Sequence, residues 1–190
     1  MKIRESGMPG VAQWDRYFDP PSILERLELT VDCGDVVEFG CGYGTFTVAA
    51  ARRVRGHVFA LDIEPEMLAA AAARAEAAGL TNIEFMPRDF VGEGTGIADG
   101  GADYAMLFNI LHGPGPVSLL REALRNLKSG GKAGVIHWNY DPATPRGPPM
   151  AIRPRPEDCR RWAEAAGFRC GPLIDLAPYH YGFVLSRIDR

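Results

Sequence analysis

The segment Glu38-Phe-Gly-Cys-Gly-Tyr-Gly44 places three glycines at alternate positions. It lies between a short apolar run, Asp35 to Phe39, and a stretch, Thr45 to Val54, whose apolar residues recur at helical spacing. Glycine suits a chain that must turn tightly and let a ligand lie against its backbone, with the free N–H groups of the next helix turned towards that ligand. Twenty-two residues after Gly40, Asp62 follows a second apolar run, His57 to Leu61. An acid at the carboxyl end of a strand next to a glycine loop accepts both hydroxyl protons of a ribose. Strand, loop, helix, strand and acid in this order imply a ribose-bearing ligand; the plainer reading is a loop that is glycine-rich for packing alone. Dinucleotide enzymes place the third glycine five positions after the first. Here that position is Thr45, and the third glycine is Gly44.

The elements that would position this loop form an alternating series. Further strands are expected at Ile83 to Met86, Ala102 to Phe108 and Lys132 to Trp138, with helices over Glu66 to Ala78 and around Leu119 to Leu127, the second ended by Gly130-Gly131. Tyr140 to Pro156 holds six prolines and reads as a long irregular loop, and Pro156 opens a helix stopped by Gly167. Phe168 to Leu176 and Tyr181 to Ile188 read as the last two strands. Only four residues join them, so they must be antiparallel. The expected fold is α/β, a three-layer Rossmann-like arrangement with a seven-stranded, mostly parallel sheet, an antiparallel terminal hairpin and helices on both faces. Residues 1–34, with Trp14, Tyr17 and Phe18, read as an N-terminal cap on a domain spanning 35–190.

Composition narrows the partners. A chain of 190 residues, 46% hydrophobic and 24% charged, suits one globular domain. With 21 basic residues against 24 acidic ones the net charge is -3, which offers no broad positive field for nucleic acid. The N-terminal MKIRESGMPG lacks an apolar leader, and no window approaches the roughly 20 apolar residues of a membrane span, so a cytoplasmic protein without a membrane partner is expected. Cys33, Cys41, Cys159 and Cys170 form no CxxC and no Cys/His cluster, so reduced thiols and no metal are expected.

The GxGxG loop preceded by Glu38 resembles motif I of the class I S-adenosylmethionine-dependent methyltransferases. Ala60-Leu-Asp-Ile63, Phe85-Met-Pro-Arg-Asp89 with Phe90, Asp103 to Asn109 and LKSGGKAGV ending at Val135 are similar to the later motifs of that family in the same order. Ser129 stands where proline is commoner. Within the family the chain is most similar to small standalone enzymes of the ubiquinone/menaquinone methyltransferase type. The resemblance implies S-adenosyl-L-methionine as cofactor, held by Glu38, Gly40, Cys41, Gly42, Gly44, Asp62, Ile63, Asp89, Phe90 and Asn109. In it, Asp62 takes the ribose, Ile63 lies against adenine and Asp89 accepts the adenine amino group.

A sulfonium methyl is already activated, so the protein mainly aligns the nucleophile, and a hydroxyl or carbon acid benefits from a base. His112 is the first candidate, with Asn109 beside it and His137 at the end of the fifth strand; each histidine could equally serve a neighbouring backbone carbonyl. Trp14 and Tyr17 are candidates for a lid over the substrate or for packing. Arg146 and Arg153, on the proline-rich loop, suit an anionic substrate or a solvated face. Tyr179-His180-Tyr181 reads as surface and edge packing far from the crevice. The leading expectation is methyl transfer to a small molecule. The rivals are a cofactor-binding sensor or partner subunit without turnover, an NAD-dependent oxidoreductase, and a protein or RNA methyltransferase. The acceptor atom and a homodimer are left open.

Overall fold

The computed structural model describes residues 8–188, so residues 1–7 of the expected cap and the last two residues lie outside the described part. Strands β1 (Val36–Phe39), β2 (Val58–Asp62), β3 (Ile83–Pro87), β4 (Ala102–Phe108) and β5 (Leu127–Trp138) are mutually parallel. Strand β8 (His180–Arg187) runs antiparallel to β5 and pairs on its other edge with β6 (Phe168–Cys170) and β7 (Ile174–Leu176). The order is β3-β2-β1-β4-β5-β8-β6. The chain reverses its direction of winding between β1 and β4, and the crevice beyond the carboxyl ends of these two strands is where such sheets bind ligands.

Alternation along the central strands divides the interior into two layers. Leu107, Val135 and Phe183 face α5 (Pro116–Asn126) and α6 (Pro156–Ala166). Tyr104, Met106, Ile136 and Val184 face α2 (Pro20–Arg26) and α3 (Thr45–Ala51). Helix α4 (Pro65–Ala77) covers Ala60 through Leu68 and Ala71. The short α1 (Val11–Asp15) buries none of its residues and lies over the crevice. No helix among the described residues is long and apolar enough to cross a membrane.

Two elements depart from the sequence reading. The segment 168–176 is not one strand: Gly171 and Pro172 interrupt it, because proline has no N–H to continue a ladder, and the sheet gains an eighth strand. Helix α5 stops at Asn126, and the next residue, Leu127, is already extended and paired with Ala102. Residues 128–131 then loop out before Lys132 takes up the ladder opposite Tyr104, so the glycine pair makes a bulge in a strand that starts early.

The register Trp138↔His180 corrects the placing of Tyr179-His180-Tyr181. The turn before β8 lies at the carboxyl end of β5, on the crevice side of the sheet, and His180 and Tyr181 are buried.

Gly44, the first-turn cap of α3, has φ +76, and a Cβ there would lie 2.9 Å from Cβ of Ala71 on α4. Gly44→Ala is expected to destabilise the fold by about 1–3 kcal/mol through combined strain and overlap, read as a lower urea midpoint with unchanged slope.

Candidate cofactor and acceptor site

The carboxylate of Asp62 organises the crevice. Its Oδ2 accepts from the Gly42 N–H at 2.9 Å and its Oδ1 from the Glu64 N–H at 3.0 Å. One side chain thus ties the end of β2 to the glycine loop and to the turn into α4. A carboxylate offers about four lone-pair directions, and these two bonds do not exhaust them. Gly40 and Cys41 donate their N–H groups to Leu61 O, fixing the start of the loop on β2. Gly42 has φ +51, which places it in the left-handed region that a glycine adopts without strain.

Above the loop lies a cavity of about 360 Å3. Among its lining residues are Glu38, Gly40, Cys41, Gly42, Asp62, Ile63, Asp89, Phe90 and Asn109, all anticipated, together with Trp14. Gly44 is not among them: its role is the close approach of α3 to α4. Ile63 and Val91 are apolar yet exposed, and Phe90, which lines the same cavity, packs edge-on against Phe39 at 5.5 Å. Such an apolar rim fits the faces of a purine. Asp89 Oδ1 accepts from the N–H groups of Val91 and Gly92, which holds this rim in place.

The charge of the lining also discriminates between ligands. Among the described lining residues the carboxyl groups Glu38, Asp62, Glu64 and Asp89 accompany one guanidinium, Arg88, which pairs with Glu93. This excess of carboxyl groups suits a sulfonium and an ammonium better than a pyrophosphate. Glu38 is almost fully buried and accepts a hydrogen bond from Thr47 Oγ1. Burial pushes its carboxyl up to about 8, despite the opposing Thr47 bond, so it holds a proton at neutral pH that an adjacent cation would release. Burial also raises Asp62, against its backbone hydrogen bonds.

On the far side of the cavity Asn109 ends β4 with φ +58, and its Oδ1 is buried without a partner. His112 is half-buried just behind it, 5.5 Å ring to ring from His137, and neither lines the cavity. On the opposite face of β5 and β8, Trp138 and His180 pack at 4.2 Å under Phe18. The ring nitrogens of His180 and the indole nitrogen of Trp138 are buried without a hydrogen-bond partner among the described residues, whereas His112 and His137 are near the backbone of Asn109 and Trp138 respectively. Each such atom costs about 1–3 kcal/mol. Burial holds the histidines neutral, His112 at about 4, His180 at about 3 and His137 well below the usual value. No group of three or more His, Cys, Asp or Glu among the described residues is arranged to hold a metal.

The arginine reading requires a correction. Arg153 is buried, and its guanidinium donates to the carbonyls of Asn139, Asp141, Arg146 and Pro148 and to Thr144 Oγ1. It clamps the proline-rich loop and is not among the residues lining the cavity. Arg146 is exposed on that loop, and Tyr17 packs on Trp138 at 5.4 Å instead of lining the cavity. What the sequence reading missed is the latch on the cap: Asp15 accepts from Thr45 Oγ1 at 2.8 Å and pairs with Arg74 at 2.7 Å. Phe46 and Phe108 line the cavity but look like ordinary core residues in sequence.

Sheet order, loop and acid define a doubly wound, nucleoside-binding α/β domain. Residues 36–131 match the model of the methyltransferase domain, and the chain belongs to that family, whose cofactor is S-adenosylmethionine. Over 123 residues it is 36% identical to a ribosomal protein L11 methyltransferase of Dechloromonas aromatica; the match takes in 62% of this chain and 38% of that protein's length. Solved structures of similar fold include a SAM-dependent methyltransferase from Aquifex aeolicus, with TM-score 0.83, 22% identity and 94% of each chain covered. Another is the [4+2]-cyclase SpnF, with TM-score 0.75, 20% identity, and 97% of this chain and 84% of that one covered. The acid-lined cavity fits the family's cofactor, and the dinucleotide alternative loses both its glycine spacing and its electrostatics.

Asp62→Ala is expected to weaken S-adenosylhomocysteine binding about 100-fold by calorimetry, the worth of about two hydrogen bonds to a charged group. The buried histidines set the acid limit of stability. Their neutral forms stabilise the fold fully above the unfolded value of 6.5, and this is lost as pH falls from there towards the folded values. Glu38 acts in the opposite sense, its contribution being lost as pH rises from 4.5 to about 8. Three histidines outweigh one glutamate, so Tm is expected to fall between pH 6.5 and 4.5. The dependence in His180→Phe should be shallower by about 1.4 kcal/mol per pH unit, measured by denaturant titration at several pH values.

Proposed function

We propose that this chain transfers the methyl group of S-adenosylmethionine to a small-molecule acceptor that approaches from the Asn109 side of the cavity. The observation that carries the reading is the pairing of an acid-lined nucleoside cavity with a buried, unpartnered amide oxygen at its far wall. The cofactor supplies a methyl on a sulfonium, so an acceptor lone pair forms the new bond to carbon as the S–C bond breaks to a neutral thioether.

In this reading Asp62 holds the ribose, Ile63 and Phe90 enclose the adenine and Asp89 accepts from its amino group. The glycine loop and Glu38 receive the methionine end. Asn109 Oδ1 orients the acceptor, and Trp14 covers it and excludes water. His112, next to His137 and unprotonated at neutral pH, is the proposed base, although its ring lies outside the cavity lining and would reach the acceptor only if the turn after Asn109 moves. A small acceptor is favoured because Trp14, Phe46 and Phe108 wall this end of the cavity and leave no open platform.

A protein acceptor is the second reading, favoured by the likeness to the ribosomal protein L11 methyltransferase. Incubation of a cell extract with methyl-labelled cofactor separates the two. Label in the filtrate of a small-pore membrane supports the first reading, and label confined to acid-precipitable protein supports the second. Binding of S-adenosylhomocysteine without labelling of any fraction would favour a sensor without turnover. His112→Ala is expected to leave S-adenosylhomocysteine affinity unchanged and to lower kcat on the order of 100-fold; equal turnover by the variant would remove His112 from the site.

A further inference from the structure

The cap meets the glycine loop at a few points. A Cβ on Gly42 would lie 3.2 Å from the Met8 methyl, Tyr43 Oη donates to Pro9 O at 3.1 Å, and Met8 and Trp14 both line the cavity. Residues 8–14 thus supply part of the wall over the loop that receives the cofactor. Their own packing is light. Helix α1 has five residues and buries none of them, too few for a helix to stand alone. From Tyr17 onward the chain is seated: Tyr17 packs on Trp138 at 5.4 Å and Phe18 on Phe46 at 5.2 Å. Trp14 touches this seated part through Phe18 and Trp138, at 5.1 and 6.3 Å between ring centroids, and Gln13 Nε2 donates to Tyr17 Oη at 3.0 Å.

Asp15 stands at the boundary between the light and the seated parts. Its Oδ1 accepts from Thr45 Oγ1 at 2.8 Å and from Arg74 Nη1 at 3.1 Å, and its Oδ2 accepts from Arg74 Nη2 at 2.7 Å. Thr45 opens α3 and Arg74 belongs to α4, so one carboxylate ties the cap to both helices that flank the glycine loop. The paired form fixes one geometry. Both side chains are about one-third exposed, so water competes for them and the net strength is modest. Neither Asp15 nor Arg74 lines the cavity. A fastening of this kind acts on the passage of a ligand and not on the ligand itself.

Resting on the methyl-transfer reading, we propose that Asp15 is a positioning residue for cofactor exchange: bonded to Arg74 and Thr45, it latches residues 8–15 as a gate over the cavity. S-adenosylmethionine enters and S-adenosylhomocysteine leaves when the latch opens. The gate turns at Arg16, in the turn that follows α1. Opening uncovers Gly42 and carries the Trp14 ring out of the wall; closing restores the wall and shields the sulfonium from water. Because the latch touches no cofactor atom, it slows entry and exit by the same factor and leaves the affinity unchanged.

Surface plasmon resonance of S-adenosylhomocysteine on the full chain tests this. Association and dissociation rate constants are both expected to rise, about fivefold in Arg74→Ala and about tenfold in Asp15→Ala, which loses the Thr45 bond as well. Kd should stay the same in both variants, an outcome that a general loosening of the binding site would not give. In the unsubstituted chain both rate constants should climb from low salt to about 1 M, where the screening length falls to about 3 Å, and this arm needs no variant to fold. In Asp15→Ala the climb should be absent. Rate constants unmoved by the substitutions or by salt, or a faster dissociation alone with weakened Kd, would overturn the proposal. Failure of S-adenosylhomocysteine to bind the unsubstituted chain would instead strike the methyl-transfer reading.

Discussion

The carboxylate of Asp62, bonded at once to the Gly42 and Glu64 amides, is the constraint on which the site depends. The glycine loop is a tight connection in which Gly40, Gly42 and Gly44 have no side chains to hold it. Without an external anchor its backbone would sample many conformations, and the entropy of ordering it would fall on the ligand. Asp62 orders the loop in advance and keeps lone pairs for a diol. The same residue belongs to β2, whose ladder with β1 is buried on both sides, so the anchor inherits the rigidity of the sheet centre.

The two sides of the cavity use polarity differently. At the cofactor side carboxyl groups outnumber cations, and one of them, Glu38, is protonated through burial. A cationic ligand is therefore met by charge that can increase on its arrival. Beyond the Asn109 end of the cavity lie neutral imidazoles and an indole on the two faces of β5, packed among aromatic rings. The fold alone does not decide the reaction: chains of similar fold include both a methyltransferase and a cyclase.

Much of this was legible in the sequence, for local reasons. Alternating apolar runs and helical stretches marked the central parallel strands, and the spacing of Gly40, Gly42 and Asp62 marked residues that line one cavity. What escaped depends on register and on long-range partners. Whether His180 faces solvent or core is set by its pairing with Trp138, and a hairpin with a short link does not announce that register. Arg153 was misread because its partners are backbone carbonyls, which carry no residue signature. Asp15, Thr45 and Arg74 lie 30 and 59 residues apart from the first to the others, so their latch has no local pattern. The strand expected over 168–176 was broken by Gly171-Pro172, a local signal that the apolar run around it obscured.

A crystal structure of the chain with S-adenosylhomocysteine tests the central claim most directly. The account predicts both ribose hydroxyls within hydrogen-bond distance of Asp62, with the Asp62 bond to the Gly42 amide retained, and the thioether sulfur turned towards Asn109. A nucleoside bound elsewhere, or an Asp62 carboxylate rotated out of the crevice with the glycine loop rearranged, would contradict it.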